Sequence, residues 1–183
     1  MKGFIYTELL DMVGEVFSPE MVEKIIDASD LPNKGGYTDV GTYNYEELIR
    51  LVTHLSKFTG MPVPDLEIAY GKYLFTKLYK RHSKLVMATK TTFEFLDHVD
   101  RHVHVEVLKL YPDAELPRFI CEIQSPNAMT MHYQSNHPFQ YLAEGLILGC
   151  AAHFKEKINI TSEQLGAADN KITNVLFSLT RVD

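Results

Sequence analysis

The order of apolar and polar positions divides the chain into an all-helical half and a mixed half. Ile5, Leu9, Met12 and Val13 fall at helical spacing over residues 4–15, which predicts a short amphipathic helix. Ser18-Pro19 supplies an N-cap hydroxyl and a first-turn proline, so a second helix starts there, with Met21, Val22, Ile25 and Ile26 inward. Pro32, Gly35, Gly36 and Gly41 mark residues 31–43 as a loop. Asn44-Tyr45-Glu46-Glu47 has capping-box form, and Leu48, Leu51, Val52, Leu55 and Phe58 then give an apolar stripe ended by Gly60. Pro62 and Pro64 open a fourth helix, residues 64–80, rich in aromatics (Tyr70, Tyr73, Phe75, Tyr79). Lys77, Lys80, Arg81 and Lys84 close it, where cations suit the helix dipole.

A long helix follows from Thr91-Thr92-Phe93-Glu94, another capping-box pattern, and runs toward Pro117. Beyond Pro117 the period changes from helical to alternating. Phe119, Cys121 and Ile123 alternate with polar neighbours, Ser125-Pro126-Asn127 signals a turn, and Met129, Met131 and Tyr133 alternate again, which predicts a β-hairpin. Asn136, His137 and Pro138 start a helix to about Lys157, with Leu142, Leu146, Cys150 and Phe154 in register. Gly145 and Gly149 share one of its faces and allow a close backbone approach. A short strand over 158–160, a polar loop over 161–172 and a last strand over 173–182, with Val175, Phe177 and Leu179 on one face, complete the chain. The predicted class is α+β, a single domain. A helical N-terminal lobe (about 1–62) packs on a C-terminal part (about 63–183) that carries an antiparallel sheet and the long helix.

Composition narrows the function classes. With 183 residues, 45% hydrophobic and 23% charged, the chain can bury a sizeable core. A net charge of −6 argues against general nucleic-acid binding, which needs a basic face. Cys121 and Cys150, with no CxxC, imply neither a disulfide framework nor a thiolate metal site, and a reducing, cytoplasmic setting is expected. Lys2 is followed by Glu8 and Asp11 rather than a signal-peptide core, and the longest apolar run, Leu146–Ala152, falls far short of the ~20 residues a membrane span needs.

Candidate chemistry centres on the long helix and its three histidines. At about 100° per residue, Glu94, His98, His102, Glu106 and Lys109 share a charged, solvated stripe. His98 and His102 stand at i,i+4 and could grip a metal ion, but there is no HExxH and no third ligand to be found. His104 lies about 200° from His102 and faces away from the stripe. Val107, Leu108 and Tyr111 follow on its side; Asp97, Asp100 and Arg101 precede it. Helical geometry favours a boundary histidine with a satisfied hydrogen bond. The alternative is a neutral imidazole with a free nitrogen lone pair aimed at a cavity, able to ligate haem iron.

Four stretches carry a resemblance that bears on this choice. They are the opening MKGFIYTELLDMV, the run His104 to Tyr111 followed by Leu116-Pro117, the run Tyr133-Gln-Ser135-Asn-His137, and Ala143-Glu144-Gly145-Leu146 with Gly149. In this order and spacing the chain resembles the haem nitric oxide/oxygen-binding domains (H-NOX, or HNOB), related to the sensor domain of soluble guanylate cyclase. The resemblance implies a non-enzymatic gas sensor with haem b. His104 would be the axial ligand, Pro117 a haem contact, and Tyr133, Ser135 and His137 the propionate edge. Where the family motif has arginine, this chain has His137, which offers one hydrogen bond rather than a fixed bidentate charge. A bland role for His137 is to help cap the helix at Pro138.

Ile5, Leu9, Leu142 and Leu146 are the expected distal pocket. Oxygen-binding relatives place a tyrosine where this chain has Leu142, and Tyr141 stands about 100° around the helix, so NO and CO binding with poor stable O₂ binding is expected. No cysteine cluster matches the zinc site of some relatives, and no zinc is expected. Loosening of the iron–His104 bond by NO would free the long helix to signal to a partner, a histidine kinase or a cyclic-di-nucleotide enzyme. No nucleic-acid or membrane partner is expected. The rival readings are a haem-free interaction module of the same fold and a metal-dependent enzyme using His98 and His102.

Overall fold

The computed structural model describes residues 1–82, 89–166 and 172–182. Four helices come first: α1 (Phe4–Val16), α2 (Pro19–Ala28), α3 (Tyr45–Thr59) and α4 (Val63–Arg81). A second helical stretch joins α5 (Thr92–His98), a π-helical segment (Val99–Val103) and α6 (His104–Leu110) without a break. The hairpin β1 (Arg118–Ser125) and β2 (Ala128–Ser135), the helix α7 (Gln140–His153) and the strands β3 (Lys157–Gln164) and β4 (Thr173–Val182) follow. All strand pairs are antiparallel, in the order β1-β2-β4-β3. The fold is α+β, and no helix among the described residues is long and apolar enough to cross a membrane.

Local signals account for most of these boundaries. Ser18 accepts a hydrogen bond from the Met21 N–H at 3.2 Å and starts α2 as predicted. Removing that acceptor by Ser18→Ala leaves the Met21 N–H only the Ser18 backbone carbonyl, at 3.1 Å; a loss of about 1 kcal/mol, read as a lower denaturant midpoint at unchanged slope, is expected. Gly60 ends α3 at φ 73°, a left-handed conformation that favours glycine. Neither capping box closes on its return arm. Asn44 accepts from the Glu46 N–H at 3.1 Å, while buried Glu47 accepts the Tyr37 hydroxyl at 2.8 Å. Thr91 caps the Glu94 N–H at 3.2 Å, and Glu94 takes the Lys90 N–H at 2.8 Å.

Several expectations are corrected. Phe58 ends the α3 stripe 48% exposed, because the core stops at Leu55. Ile123 is exposed because β1 is an edge strand that the helices cover only near Phe119 and Cys121. The helix expected from 138 to 157 begins at Gln140 and ends at His153, where Lys155 turns the chain at φ 58° into β3. β3 extends to Gln164, opposite Val175, so residues 161–164 are strand rather than loop. Its side chains beyond Ile160 are all exposed, so no alternation betrays them. Lys84, and the part of the expected loop at 167–171, lie outside the described residues.

The core has two clusters. One joins α1, α2, α3 and the start of α4 with Phe139 and Leu142. The other joins the inner sheet face (Met129, Met131, Tyr133, Val175, Phe177, Leu179) with Phe75, Phe93, Phe95, Leu96 and the rest of α7. α4 serves both, giving Leu66, Tyr70 and Leu74 to the first and Phe75 to the second. At Gly71 and Gly145 it meets α7 backbone to backbone. A Cβ on Gly145 would lie 2.3 Å from the Ile68 carbonyl oxygen, and one on Gly71 would lie 2.4 Å from that of Leu142.

Candidate functional site

Between the two clusters lies a cavity of about 310 Å³. Phe4 and Ile5 of α1, Leu74, Phe75 and Leu78 of α4, and Leu142, Ala143, Leu146 and Ile147 of α7 supply apolar wall. The long helix contributes Val99, Val103, His104 and Val107, and the sheet Phe119, Met131 and Tyr133. The segment after α6 adds Tyr111 and Ala114 through Pro117. A slot this apolar gains free energy by filling with an apolar ligand body and leaves orientation to the few polar groups that converge on it.

His104 is the imidazole in the wall. Its Nδ1 stands 3.4 Å from Asp100 Oδ1, a long contact one helical turn back. The same carboxylate oxygen accepts the Phe119 N–H at 3.2 Å, tying the helix to β1. Burial holds the His104 imidazole below the usual histidine range, against the opposing pull of Asp100, so the ring is neutral at pH 7. A carboxylate at Nδ1 fixes the tautomer that carries its proton there and leaves Nε2 as a lone pair. The ring also lies against Phe119, with centroids 5.6 Å apart.

The expected mapping of the helix assumed 3.6 residues per turn throughout. Val99–Val103 instead form a π turn, closed by the His104 N–H on the Val99 carbonyl. None of these five residues is buried, so no apolar pattern announces them. Such turns occur as single bulges inside α-helices, frequently at functional sites. Val107 and Tyr111 reach the cavity on the His104 side, whereas Leu108 is exposed. His98 and His102 are exposed, their rings stacked at 4.9 Å, and His98 Nδ1 is engaged by the Glu94 carbonyl at 2.7 Å. Among the described residues no three His, Cys, Asp or Glu side chains converge as a metal cage.

The polar rim is formed by Tyr133, Ser135 and His137 at the end of β2. Tyr133 is buried and its hydroxyl is pushed up to about 12 by that burial, moderated by a hydrogen bond with Ser135 and reinforced by the nearby Glu67 carboxylate. Ser135 Oγ accepts the His137 N–H at 3.0 Å, which sets the turn into α7. His137 Nε2 lies 2.8 Å from Glu115 Oε2, and its ring lies over Tyr45 at 4.2 Å. Its Nδ1 is buried without a hydrogen-bond partner. Pro117, Ile5, Leu142 and Leu146 line the cavity, but Leu9 does not; it is packed in the first core cluster, 1% exposed. Tyr141 is absent from the lining.

Two partners escaped the sequence reading in different ways. Asp100 stands four residues before His104, a spacing that could have named it as the ring's hydrogen-bond partner. Glu115 is an exposed loop residue 22 positions from His137 with no pattern to mark it. Glu67 is a third surprise. It is buried in α4, and desolvation pushes its carboxyl up to about 7 against a hydrogen bond from the Leu142 backbone.

A haem group asks for an apolar slot, one neutral nitrogen ligand and donors at its carboxylate edge. The cavity walls, His104 with Asp100 behind it, and Tyr133 with Ser135 meet those demands, and His137 is the unusual member of the set. The profile of the family described as Haem-NO-binding (HNOB) matches residues 2–162. Over 153 residues, 80% of this chain, the sequence is 26% identical to the soluble guanylate cyclase gcy-35 of Caenorhabditis elegans, and it spans 22% of that protein's length. The unliganded Fe(II) H-NOX protein of K. algicida superposes with a TM-score of 0.92 at 36% identity, covering 100% of this chain and 97% of that one. The S. oneidensis H-NOX protein in its Fe(II)NO state superposes with a TM-score of 0.90 at 26% identity over 100% of both chains. The chain therefore belongs to the haem-NO-binding (H-NOX) family of haem-based gas sensor domains.

Proposed function

We propose that this chain binds haem b through His104 and senses NO and CO, passing the signal to a partner protein. The observation that carries the reading is the neutral imidazole of His104 in the wall of an apolar cavity, its Nδ1 held by Asp100. Haem, when bound, supplies an iron atom that takes a diatomic gas. Every other part of the device is polypeptide. His104 would offer Nε2 to the iron, with Asp100 orienting the ring, and Pro117, in the segment that follows α6, would form part of the wall against the group. Tyr133 and Ser135 would donate to its carboxylate edge.

Signal transfer uses the same connections. Asp100 joins the long helix to β1, so a change in how His104 is held also changes the pull on the Phe119 N–H. The helix carries exposed apolar residues on its outer side, Val105, Leu108 and Leu110. A displacement of α6 is therefore presented to whatever binds that surface. A histidine kinase or a cyclic-di-nucleotide enzyme is the class of partner proposed.

The gas preference rests on Ile5, Leu142 and Leu146, none of which carries a hydrogen-bond donor to steady the partial negative charge of bound O₂. Purified, haem-loaded protein is expected to show a strong Soret band that shifts with NO and with CO. The ferrous form in air is expected to give no lasting oxy spectrum. Absence of a Soret band after haem loading would sink the haem reading, and a stable oxy complex would sink the gas preference.

A further inference from the structure

At the cavity rim, two cationic or donor side chains are each already held by an acid from one short segment. Lys2 Nζ pairs with Asp113 at 2.9 Å, and Thr42 Oγ1 donates to the same carboxylate at 2.7 Å. His137 Nε2 pairs with Glu115 Oε2 at 2.8 Å. Asp113 and Glu115 lie between the end of α6 and Pro117, so both acids belong to the connection that leaves the His104 helix. Lys2, Glu115, Ser135 and His137 all line the cavity.

The two pairs differ in strength. Lys2 and its hydrogen-bond partners hold the Asp113 carboxyl down to about 2, a well-made pair. Glu115 hydrogen-bonds the one imidazole nitrogen and otherwise feels the Met1 ammonium only through its charge, and its side chain is 64% exposed against 12% for His137. An ionised carboxylate can only accept, so His137 Nε2 carries the hydrogen of this bond. The ring has little room to swing toward a second acceptor with that nitrogen, because it lies tilted over Tyr45 and edge-on to Phe139.

We infer that Glu115 is a built-in placeholder for a ligand carboxylate. It occupies the His137 Nε2–H donor, and a tetrapyrrole carboxylate entering the rim takes that donor by displacing it. The inference rests on the haem reading above and adds a competitor to it. An arginine at position 137 could serve both acids at once through its fork of donors; a histidine forces an exchange. Displacement frees Glu115 into solvent, where it is already mostly exposed, and unfastens the 111–117 segment from the end of β2. Ligand loading is thereby coupled to the chain that links the His104 helix to Pro117.

The test is the rate of haem loss to excess apomyoglobin, followed in the visible spectrum. Glu115→Gln is expected to slow the loss by roughly tenfold, the order of a charge-assisted competitor replaced by a neutral one. In a His137→Phe background, whose ring has no N–H, the same substitution is expected to change nothing, because the contested donor is gone. Unchanged or faster loss in Glu115→Gln overturns the inference, and so does a slowing that persists without His137. Far-ultraviolet circular dichroism, expected to match wild type for so exposed a residue, checks that each variant is folded. A wild-type protein that takes up no haem refutes the haem reading and this inference together. A Soret band with equal loss rates refutes the inference alone.

Discussion

His104→Gly is expected to lower haem retention by well over tenfold, with the Soret band recovering when imidazole is supplied in solution. Loss of a residue behind a metal ligand alone typically costs ten- to a hundredfold in affinity, so losing the ligand itself costs more. The cavity left by the side chain faces Phe119 and remains next to Asp100, which can hydrogen-bond a free imidazole as it does the native ring. Glycine also weakens a helix by about 1 kcal/mol, so a second variant is needed to separate fold from ligation. His98→Gly places the same defect in the same stretch of helix at an exposed position, and its spectrum is expected to match wild type. A His104→Gly protein with an undiminished, imidazole-insensitive Soret band would falsify the assignment of the axial ligand.

The second large effect concerns packing. Gly145→Ala is expected to destabilise the fold by about 3 kcal/mol or more, a fall in Tm of roughly 10 °C for a chain of this size. The new methyl would meet the Ile68 carbonyl oxygen at 2.3 Å and the Gly71 Cα at 2.9 Å. Both are backbone atoms in α4, so no rotamer change relieves the clash and the two helices must part. Gly14→Ala is the opposite case. Its Cβ meets only Val22 Cγ2, at an ordinary 3.6 Å, and the helix gains up to about 1 kcal/mol from the better helix former. Thermal unfolding of the pair is expected to give shifts of opposite sign. Equal shifts would mean that the α4–α7 seam is not the constraint described.

The legible parts of the chain are those buried on one side only. The stripes of α1 and α3, the inner face of β2 and the last strand all alternate between core and solvent, and that alternation is what periodicity detects. Gly145 could be singled out because a glycine in a helix needs a reason, and the reason is the carbonyl of Ile68. The second half of β3 is exposed on both faces and left no trace. In the site, His104, Pro117, Tyr133, Ser135 and His137 do line one cavity, whereas Leu9 is one turn beyond Ile5, about 6 Å further along α1 and inside the core. The contact between Glu115 and His137 joins a loop to a turn across the rim. Only the folded chain puts those two residues within 2.8 Å.

The π turn ahead of His104 has a consequence for how this helix can change over time. One residue more than a regular helix would hold is stored there, and its side chains are not buried. Within it, Arg101 and His102 are exposed and their substitution is chemically cheap, whereas Asp100 holds His104 and Phe119, and Val99 and Val103 line the cavity. The length of the segment is another matter. Removing or adding a single residue would turn the imidazole by about 100° and shift it by about 1.5 Å along the axis. The aim of His104 is thus written in the number of residues upstream of it as well as in the identity of Asp100. Lineages of this sequence can drift in composition at Arg101 and His102, but they cannot drift in count.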